Sequence, residues 1–274
     1  MRHLTIPNYI KKHDQPRSVL EQRMKLINQN IKKIYSDYPE ISIVIPAYNE
    51  AENILKTIAS LADTTTSKKV EVIVVDNNSS DDTGKLISLS GVTCVLETQQ
   101  GITPARNAGL RAAKGIYILN ADADTIYPPE WIDMMSKPLY QENIAITYGI
   151  FSFLPTVGTS RSVFLVYEYI SDISKWISKV FKEEAVNIYG FNSGFRRLEG
   201  IQVDYFNHPV GTNEDGWLGV KLRTKFEKKL FRVSHPNATV WTTDRRIQID
   251  GGLFAGFYKR LRRHLGVNSI KAKN

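Results

Sequence analysis

The stretch Ile41–Asp63, "ISIVIPAYNEAENILKTIASLAD", joins a β-branched run to a segment with helical periodicity. Its first part, "ISIVIP", does not alternate apolar and polar residues, which is typical of a strand buried on both faces. Asn49 and Glu52 have the spacing of a capping box and are predicted to start the helix that follows. A strand followed by a helix is the repeating unit of an α/β fold.

The same unit recurs up to about residue 125. Further strands are predicted from "VEVIVVDNNS" (70–79), "GVTCVLET" (91–98) and "IYILNADAD" (116–124), with helical patterns between them. Strands and helices that alternate this regularly predict an α/β fold with a mostly parallel sheet flanked by helices. Ligands of such sheets bind beyond the carboxyl ends of the strands. We therefore expect a site at that edge.

Two appendages flank this region. Residues 1–40 carry apolar residues at helical spacing from Leu20 to Ile34, which predicts an N-terminal helical extension packed on the main body. A helix lying on a membrane is the alternative interpretation. Residues 248–274 are predicted to form a basic amphipathic C-terminal helix. Packing of its aromatic face against the main body is favoured over contact with an anionic membrane.

The composition of the chain limits which binding partners and which cellular location can be expected. The chain has 274 residues, a formal net charge of +8 and one cysteine, Cys94. One cysteine excludes an intrachain disulfide and a multi-cysteine zinc site, so a cytoplasmic location is expected. No apolar run approaches the roughly 20 residues that cross a bilayer. The positive charge favours anionic partners. Nucleic acid is not expected among them, because no zinc-finger or aromatic RNA-binding signature is present.

Polar residues follow three of the predicted strands. These segments are "PAYNE" (46–50), "DNNSSDD" (76–82) and "ADAD" (121–124). The carboxylates of Asp122 and Asp124 suit a hard divalent cation, Mg²⁺ or Mn²⁺, which keeps open positions for phosphate. A solvated turn with two incidental acids is the alternative, and the strand–helix series before the pair favours the metal site.

Other polar residues each allow two interpretations. Asp76 could accept a hydrogen bond from the imide of uracil, or it could cap the next helix. Arg106, near a helix N-terminus, could bind a diphosphate, or it could be an ordinary surface arginine. Glu214 and Asp215 begin a helix, where a carboxylate can accept a proton from a substrate hydroxyl or can simply cap the helix.

Taken together, these stretches resemble the family 2 inverting glycosyltransferases, which have a nucleotide-sugar-binding GT-A fold. The resemblance covers roughly residues 41–247. It is carried by "SIVIPAYNEAENILKTIASL", "EVIVVDNNSSDDT", "GITPARNAGLRAAKGIYILNADADT", "YGFNSGFRR" and "NEDGWLGVKL". The resemblance implies a nucleotide-binding half at 41–145 and an acceptor-side half at 146–247.

The resemblance also implies roles for individual residues. Asp122 and Asp124 would bind Mn²⁺ or Mg²⁺, with Asp122 also near the ribose. Asp215 would be the base that deprotonates the acceptor hydroxyl, with Glu214 orienting the substrate, and Asn192 would face the donor sugar. The nucleotide pocket would comprise Pro46, Ala47, Tyr48, Glu50, Asp76, Asn78, Arg106 and Asp122.

Two features depart from the family pattern. Relatives often have a histidine metal ligand just after the last strand, where this chain has Thr242 and Thr243. His235 is a weaker candidate for that role, and whether it or the Arg245/Arg246 pair reaches the metal or the diphosphate stays open. The Gln-x-x-Arg-Trp signature of processive synthases is absent from the sequence. A polymer-extruding synthase is therefore not expected.

The expected activity is transfer of a sugar from a nucleotide-diphosphate sugar to a glycan or lipid-linked acceptor, in cell-envelope or surface glycan synthesis. UDP is favoured over GDP or dTDP only through Asp76. Peripheral contact with the inner face of the membrane remains open. A catalytically silent nucleotide-sugar-binding module is one alternative. A nucleotidyltransferase is another, although its usual glycine-rich basic loop is replaced here by "PAYNEAEN".

Overall fold

The structure is a computed structural model that describes residues 2–155, 159–181 and 183–243. The helices are α1 (Asn8–His13), α2 (Arg17–Gln22), α3 (Met24–Ile34), α4 (Ile54–Ala62), α5 (Thr83–Ser90), α6 (Ile102–Ala112), α7 (Trp131–Ser136), α8 (Arg161–Phe181), α9 (Arg197–Gln202) and α10 (Glu214–Phe226). The strands are β1 (Ile41–Ala47), β2 (Val70–Asp76), β3 (Thr93–Leu96), β4 (Tyr117–Asn120), β5 (Thr125–Ile126), β6 (Ile144–Gly149), β7 (Phe151–Phe153), β8 (Ser193–Arg196), β9 (Lys229–Val233) and β10 (Val240–Thr242).

Seven strands form the main sheet in the order β3-β2-β1-β4-β8-β6-β9. The first four are parallel, β8 runs antiparallel to both of its neighbours, and β6 is parallel to β9. The register pairs Ala47 with Asp76 and Val44 with Asn120, so the ends of β1, β2 and β4 lie at one edge. Two apolar clusters cover the sheet. The predicted α/β class with a mostly parallel sheet is confirmed.

A second sheet, in the order β5-β10-β7, brings distant segments to the same edge. Thr242 pairs with Thr125 on one side and with Phe153 on the other. The residues after β10 therefore emerge beside the Asp122–Asp124 segment. The sequence pattern alone contained no sign of this pairing, because each strand is only two or three residues long.

The N-terminal helices pack on the main body. Leu20, Ile27 and Ile31 are buried in the larger apolar cluster, and Ile10 is buried beside Trp241. The predicted C-terminal helix at 248–274 and the pair Arg245/Arg246 lie outside the described residues. Within the described ranges, no helix combines the length and the apolar character needed to span a bilayer.

The predicted cap of the first βα helix is wrong. Helix α4 begins at Ile54, after Asn53, and Asn49 lies earlier with a left-handed φ of 52°. The Asn49 Oδ1 accepts a hydrogen bond from the backbone N–H of Ser80 at 2.9 Å. Asn49 therefore joins the loops that follow β1 and β2, and a contact between residues 31 apart in sequence overrides the local capping pattern.

Gly109 allows helix α6 to approach the sheet closely. A Cβ added there would lie 2.2 Å from Val44 Cγ1 and 3.2 Å from Val75 Cγ2. Both valines are buried, so they have little room to move.

We expect Gly109→Ala to lower the free energy of unfolding by about 1–3 kcal/mol through overpacking. The roughly 0.5–1 kcal/mol gained in helix propensity does not offset this. Urea unfolding followed by circular dichroism measures the change. Arg111→Ala, at an exposed position of the same helix, is the control and should change stability by less than about 0.5 kcal/mol. A Gly109→Ala protein as stable as the parent would contradict the close packing.

Candidate active site

A cleft of about 540 Å³ opens at the carboxyl edge of the main sheet. All three predicted polar strand ends contribute to it. The residues from β1 and its loop are Pro46, Ala47, Tyr48 and Glu50, the residue after β2 is Asn77, and the residues after β4 are Asp122, Ala123 and Asp124. The edge rule for parallel sheets therefore locates the cleft correctly.

One part of the cleft lining is aromatic. Phe151 and Phe153 come from β7, and Tyr189 and Phe191 come from the segment before β8. The rings of Tyr189 and Phe191 stack with centroids 5.4 Å apart, and Phe151 meets both edge-on. A cleft with carboxylates and an aromatic wall suits a ligand that has both a charged and a flat or apolar part.

Asp122 and Asp124 both line this cleft. Asp124 Oδ2 accepts a hydrogen bond from Thr243 Oγ1 at 3.1 Å, and Asp122 Oδ1 accepts one from Arg106 Nη2 at 2.9 Å. Two carboxylates in an open cleft fit a hard divalent cation that completes its coordination with phosphate and water. In the part of the chain that the structure describes, no third His, Cys, Asp or Glu joins them in a metal-binding group.

His235 does not approach the aspartates as a ligand. Its side chain is exposed, and its Nδ1 accepts a hydrogen bond from the backbone N–H of Asn237 at 3.2 Å. The residue that contacts Asp124 is Thr243, one of the two residues that stand where the resemblance implied a histidine metal ligand. The short pairing of β10 with β5 explains this position.

Arg106 lies beneath the cleft and does not line it. Its side chain is almost completely buried and bridges two acids, with Nη2 at 2.9 Å from Asp122 Oδ1 and Nε at 3.5 Å from Asp215 Oδ1. Burial disfavours the charged guanidinium and by itself lowers its pKa. The nearby negative charges, first Asp215 and then Asp122, together have the larger effect, so the pKa is raised. The expectation that Arg106 points toward a diphosphate does not match this geometry, because the guanidinium is held between the two acids.

Asp215, at the start of α10, is only 4% exposed. Burial raises the pKa of its carboxyl from 3.8 to about 7, while Arg106 opposes the shift and Glu214 adds to it. The backbone N–H of Gly190 donates a hydrogen bond to this carboxyl. Glu214 is half-buried beside it. Neither acid is part of the cleft lining among the described residues.

Gly190 separates the buried ion pair from the cleft. A Cβ at this position would lie 2.0 Å from Arg106 Nη2 and 2.5 Å from Asp215 Oδ2. Only glycine fits over the pair, and its neighbours Tyr189 and Phe191 turn toward the cleft. The glycine in "YGFNSG" is the sequence feature that could have indicated this contact, because glycine allows a close approach of the backbone.

The end of β2 contributes a different residue from those predicted. Asp76 Oδ1 accepts a hydrogen bond from the backbone N–H of Ser79 at 3.0 Å, and Asn78 is exposed with a left-handed φ of 61°. Among the described residues, the cleft lining contains Asn77 but neither Asp76 nor Asn78. Asn77 Oδ1 accepts from the N–H of Gly101 at 2.7 Å, which fixes the loop before α6.

Asn192 is a structural residue in this geometry. It is buried, its Oδ1 accepts a hydrogen bond from Trp131 Nε1 at 2.8 Å, and its Nδ2 donates to the carbonyl of Ile150 at 2.8 Å. The prediction that Asn192 faces a donor sugar is therefore not supported. Its amide joins α7 to the segment between β6 and β7.

Tyr127 was missed by the sequence patterns. Its hydroxyl accepts a hydrogen bond from the backbone N–H of Asp122 at 2.9 Å and donates one to the carbonyl of Phe191 at 2.9 Å. The ring is buried against Trp131, with centroids 4.4 Å apart. Tyr127 thus joins the aspartate segment to the aromatic wall of the cleft.

Similar proteins are known. Glycosyltransferase AglE of Haloferax volcanii is 29% identical over 238 residues, which cover 77% of each chain. The Escherichia coli protein WfaP, a UDP-Glc:α-D-GlcNAc-diphosphoundecaprenol β-1,3-glucosyltransferase, is 33% identical over 113 residues, 40% of this chain and 45% of that one. Other relatives are longer, and the match spans only 29% and 19% of two of them.

A solved structure shares the fold. The mannosyltransferase PcManGT of Pyrobaculum calidifontis, in complex with GDP-Man and Mn²⁺, superposes with a TM-score of 0.59 at 17% identity, covering 93% of this chain and 75% of that one. The sequence profile named "Glycosyl transferase family 2" matches residues 42–198, more than half of the chain. This protein belongs to glycosyl transferase family 2.

Proposed function

We propose that this glycosyltransferase moves a sugar from a nucleotide-diphosphate sugar to an acceptor hydroxyl, inverting the anomeric configuration. One observation carries the proposal. Two carboxylates, Asp122 and Asp124, face the cleft, and Arg106 links the first of them to a buried carboxyl, Asp215, whose pKa is raised to about 7. A metal-binding pair beside a group of near-neutral pKa suits acid–base chemistry on a diphosphate substrate.

The donor would occupy the cleft beside the end of β1. Pro46, Ala47, Tyr48 and Glu50 would contact the nucleotide, and the aromatic wall would hold its flat or apolar parts. UDP is the proposed nucleotide because Asp76 matches the uracil-reading position of the family, although its carboxylate lies outside the cleft lining. The name of one relative includes UDP-Glc, and a structural neighbour was solved with GDP-Man. The identity of the nucleotide therefore has to be tested.

Asp122 and Asp124 would hold Mn²⁺ or Mg²⁺. When bound, the cation would neutralise charge on the diphosphate as it leaves. Thr243 contributes by holding one oxygen of Asp124 through its hydroxyl. The chain itself thus sets the orientation of one carboxylate through Thr243 and of the other through Arg106.

Asp215 would act as the general base. Its carboxylate takes the proton of the acceptor hydroxyl while that oxygen forms a bond to the anomeric carbon. The bond from that carbon to the diphosphate oxygen breaks on the opposite face, and the electron pair leaves with the nucleoside diphosphate. Because Gly190 covers Asp215, the Tyr189–Phe191 segment has to shift when the acceptor binds. Glu214, beside the base, would orient the acceptor.

The acceptor is proposed to be a glycan or a lipid-linked sugar used in envelope or surface glycan synthesis. The lipid-diphosphate substrate in the name of WfaP supports this proposal. The protein would then work in the cytoplasm, on the inner face of the membrane.

A second candidate follows from the burial of Asp215. Since neither Asp215 nor Glu214 lines the cleft, a nucleotide-sugar-binding module without turnover also fits the geometry. Family membership removes the support for a nucleotidyltransferase.

Asp124→Ala tests the metal site. Because one of two cleft carboxylates is lost, we expect UDP affinity in the presence of Mn²⁺ to fall to the level that the parent protein shows with EDTA. Isothermal calorimetry measures both. Asp37→Ala, which removes an exposed acid beside Tyr35, should leave the affinity unchanged. If Asp124→Ala kept full Mn²⁺-dependent affinity, the metal-site assignment would be wrong.

Asp215→Asn tests the base. We expect turnover of the UDP-sugar to fall by about 10²–10⁴-fold while UDP affinity is retained, because only the proton acceptor is removed. Glu142→Gln, at an exposed acid, is the control. Near-normal turnover in Asp215→Asn would mean that another group is the base. Absence of turnover in the parent protein with every donor would favour the binding module.

The pH dependence tests the role of Arg106 as a positioning residue. A base must be ionised, so kcat/KM should rise as pH rises through about 7, the pKa of Asp215. Arg106 holds that pKa down, so Arg106→Met should move the rise to higher pH, and Arg106→Lys should move it less. Arg111→Met, on the exposed face of the same helix, should not move it. A rise near pH 4, or one unmoved by Arg106→Met, would contradict the assignment.

A further inference from the structure

The small sheet β5-β10-β7 positions Asp124, although its strands are very short. Asp124 lies immediately before β5, and Thr243, whose hydroxyl donates to the Asp124 carboxylate, follows β10. Each strand of this sheet contains two or three residues. Strands are usually about five or six residues long, and a small sheet needs a packed helix or further strands to be stable. The position of Asp124 therefore depends on support from outside this sheet.

Glu168, on α8, supplies such support to β7. Its side chain is only 1% exposed. The carboxylate accepts a hydrogen bond from the backbone N–H of Phe153 at 2.8 Å and one from the hydroxyl of Ser152 at 3.2 Å. Phe164 of α8 packs on Phe153 as well, with ring centroids 5.4 Å apart. Packing alone would let the strand slide along the helix, whereas a charge-assisted bond to the backbone fixes its position.

Two buried arginines hold Glu168 in turn. Arg161 Nη1 lies 2.7 Å from one carboxylate oxygen, and Arg2 Nη1 lies 3.0 Å from the other. The two arginine side chains are 10% and 4% exposed, so their charges compensate the burial of the carboxylate. Arg2 also donates to the carbonyl of Phe151, and its Nε lies 2.7 Å from Asp172 Oδ2. All three residues of β7 are thus held by Glu168 or by Arg2.

The position of β7 is passed on to Asp124 through β10. The two strands pair along the whole of β7, with Phe153 opposite Thr242. The carbonyl of Thr242 accepts a hydrogen bond from the backbone N–H of Leu154 at 2.9 Å. Thr243 is the next residue, and its hydroxyl donates to Asp124 Oδ2 at 3.1 Å. A shift of β7 on α8 would therefore move the hydroxyl that orients the Asp124 carboxylate.

We propose that Glu168 is a positioning residue for Asp124. It fixes β7 on α8, and the pairing of β7 with β10 carries this position to Thr243. The inference rests on the proposed function for the role of Asp124 as a metal ligand. It deepens that function, because it assigns the orientation of the ligand to a buried acid that does not line the cleft.

Glu168→Asp tests the proposal. It keeps the charge between the arginines but shortens the side chain by one methylene group, so the bond to the Phe153 backbone is lost. We expect the increase in UDP affinity that Mn²⁺ produces to fall about tenfold, while UDP affinity with EDTA stays at the parent level. Isothermal calorimetry measures both affinities. Arg161→Lys, a milder change at the same contact, should give a smaller loss and serves if Glu168→Asp does not fold.

Glu71→Asp is the matched control. Glu71 is also buried, and its carboxylate accepts hydrogen bonds from Ser42 Oγ and from the backbone N–H of Lys114. It lies near the start of β2, at the end of the sheet away from the cleft. The same shortening there should lower the free energy of unfolding and leave the Mn²⁺ effect on UDP affinity unchanged. An equal loss of the Mn²⁺ effect in both variants would reduce Glu168 to a stabilising residue and overturn the proposal.

Hydrogen exchange followed by NMR tests the connection without any nucleotide. In Glu168→Asp the amide of Leu154 should exchange at least about tenfold faster than in the parent protein, because its bond to Thr242 depends on the position of β7. The amide of Asn77, which donates to the carbonyl of Ala47, should exchange at the parent rate. Unchanged exchange of Leu154 would overturn the proposal. Faster exchange of Leu154 in the variant, with no Mn²⁺ effect on UDP affinity in the parent, would support the connection from Glu168 to β10 and contradict the proposed metal site.

Discussion

The rest of the site depends on one buried ionic contact, in which Arg106 lies between Asp122 and Asp215. Burying a guanidinium with two carboxylates is costly unless their geometry is held from several sides. Here α6 supplies the arginine, the end of β4 supplies one acid and the start of α10 supplies the other. Gly190 covers the pair at a distance that excludes any side chain. The parallel sheet brings these elements together at its carboxyl edge.

This contact joins the two parts of the candidate site. Asp122 lines the cleft and also accepts a hydrogen bond from Arg106. A cation that binds Asp122 would therefore change the electric field around Asp215. Tyr127 adds a second connection, because its hydroxyl contacts both the Asp122 backbone and the aromatic wall. Arg106 Nε and Nη1 and Asp215 Oδ1 have no hydrogen-bond partner among the described residues. The pair is thus incompletely satisfied, which fits a group that changes partners when substrate binds.

The sequence patterns predict the sheet and its binding edge because both depend on short-range features. A β-branched run followed by helical periodicity identifies each βα unit, and parallel order then brings Ala47, Asn77 and Asp122 to one cleft. The directions of individual side chains depend on distant partners. Asn192 accepts a hydrogen bond from Trp131, and Arg106 is held between two acids and does not line the cleft. The contact of Thr243 with Asp124 requires a three-residue strand that no local pattern marks.

The proposed mechanism requires Asp215 to be a buried carboxyl whose surroundings raise its pKa to about 7. The most direct test is a carbon-13 carboxyl NMR titration of aspartate-labelled protein, with Asp215→Asn to assign the resonance. One aspartate should titrate near pH 7, well above the ordinary value of 3.8. An Asp215 resonance that titrates at the ordinary value would show an exposed acid, and it would contradict both the buried contact with Arg106 and the proposed role of Asp215 as the base.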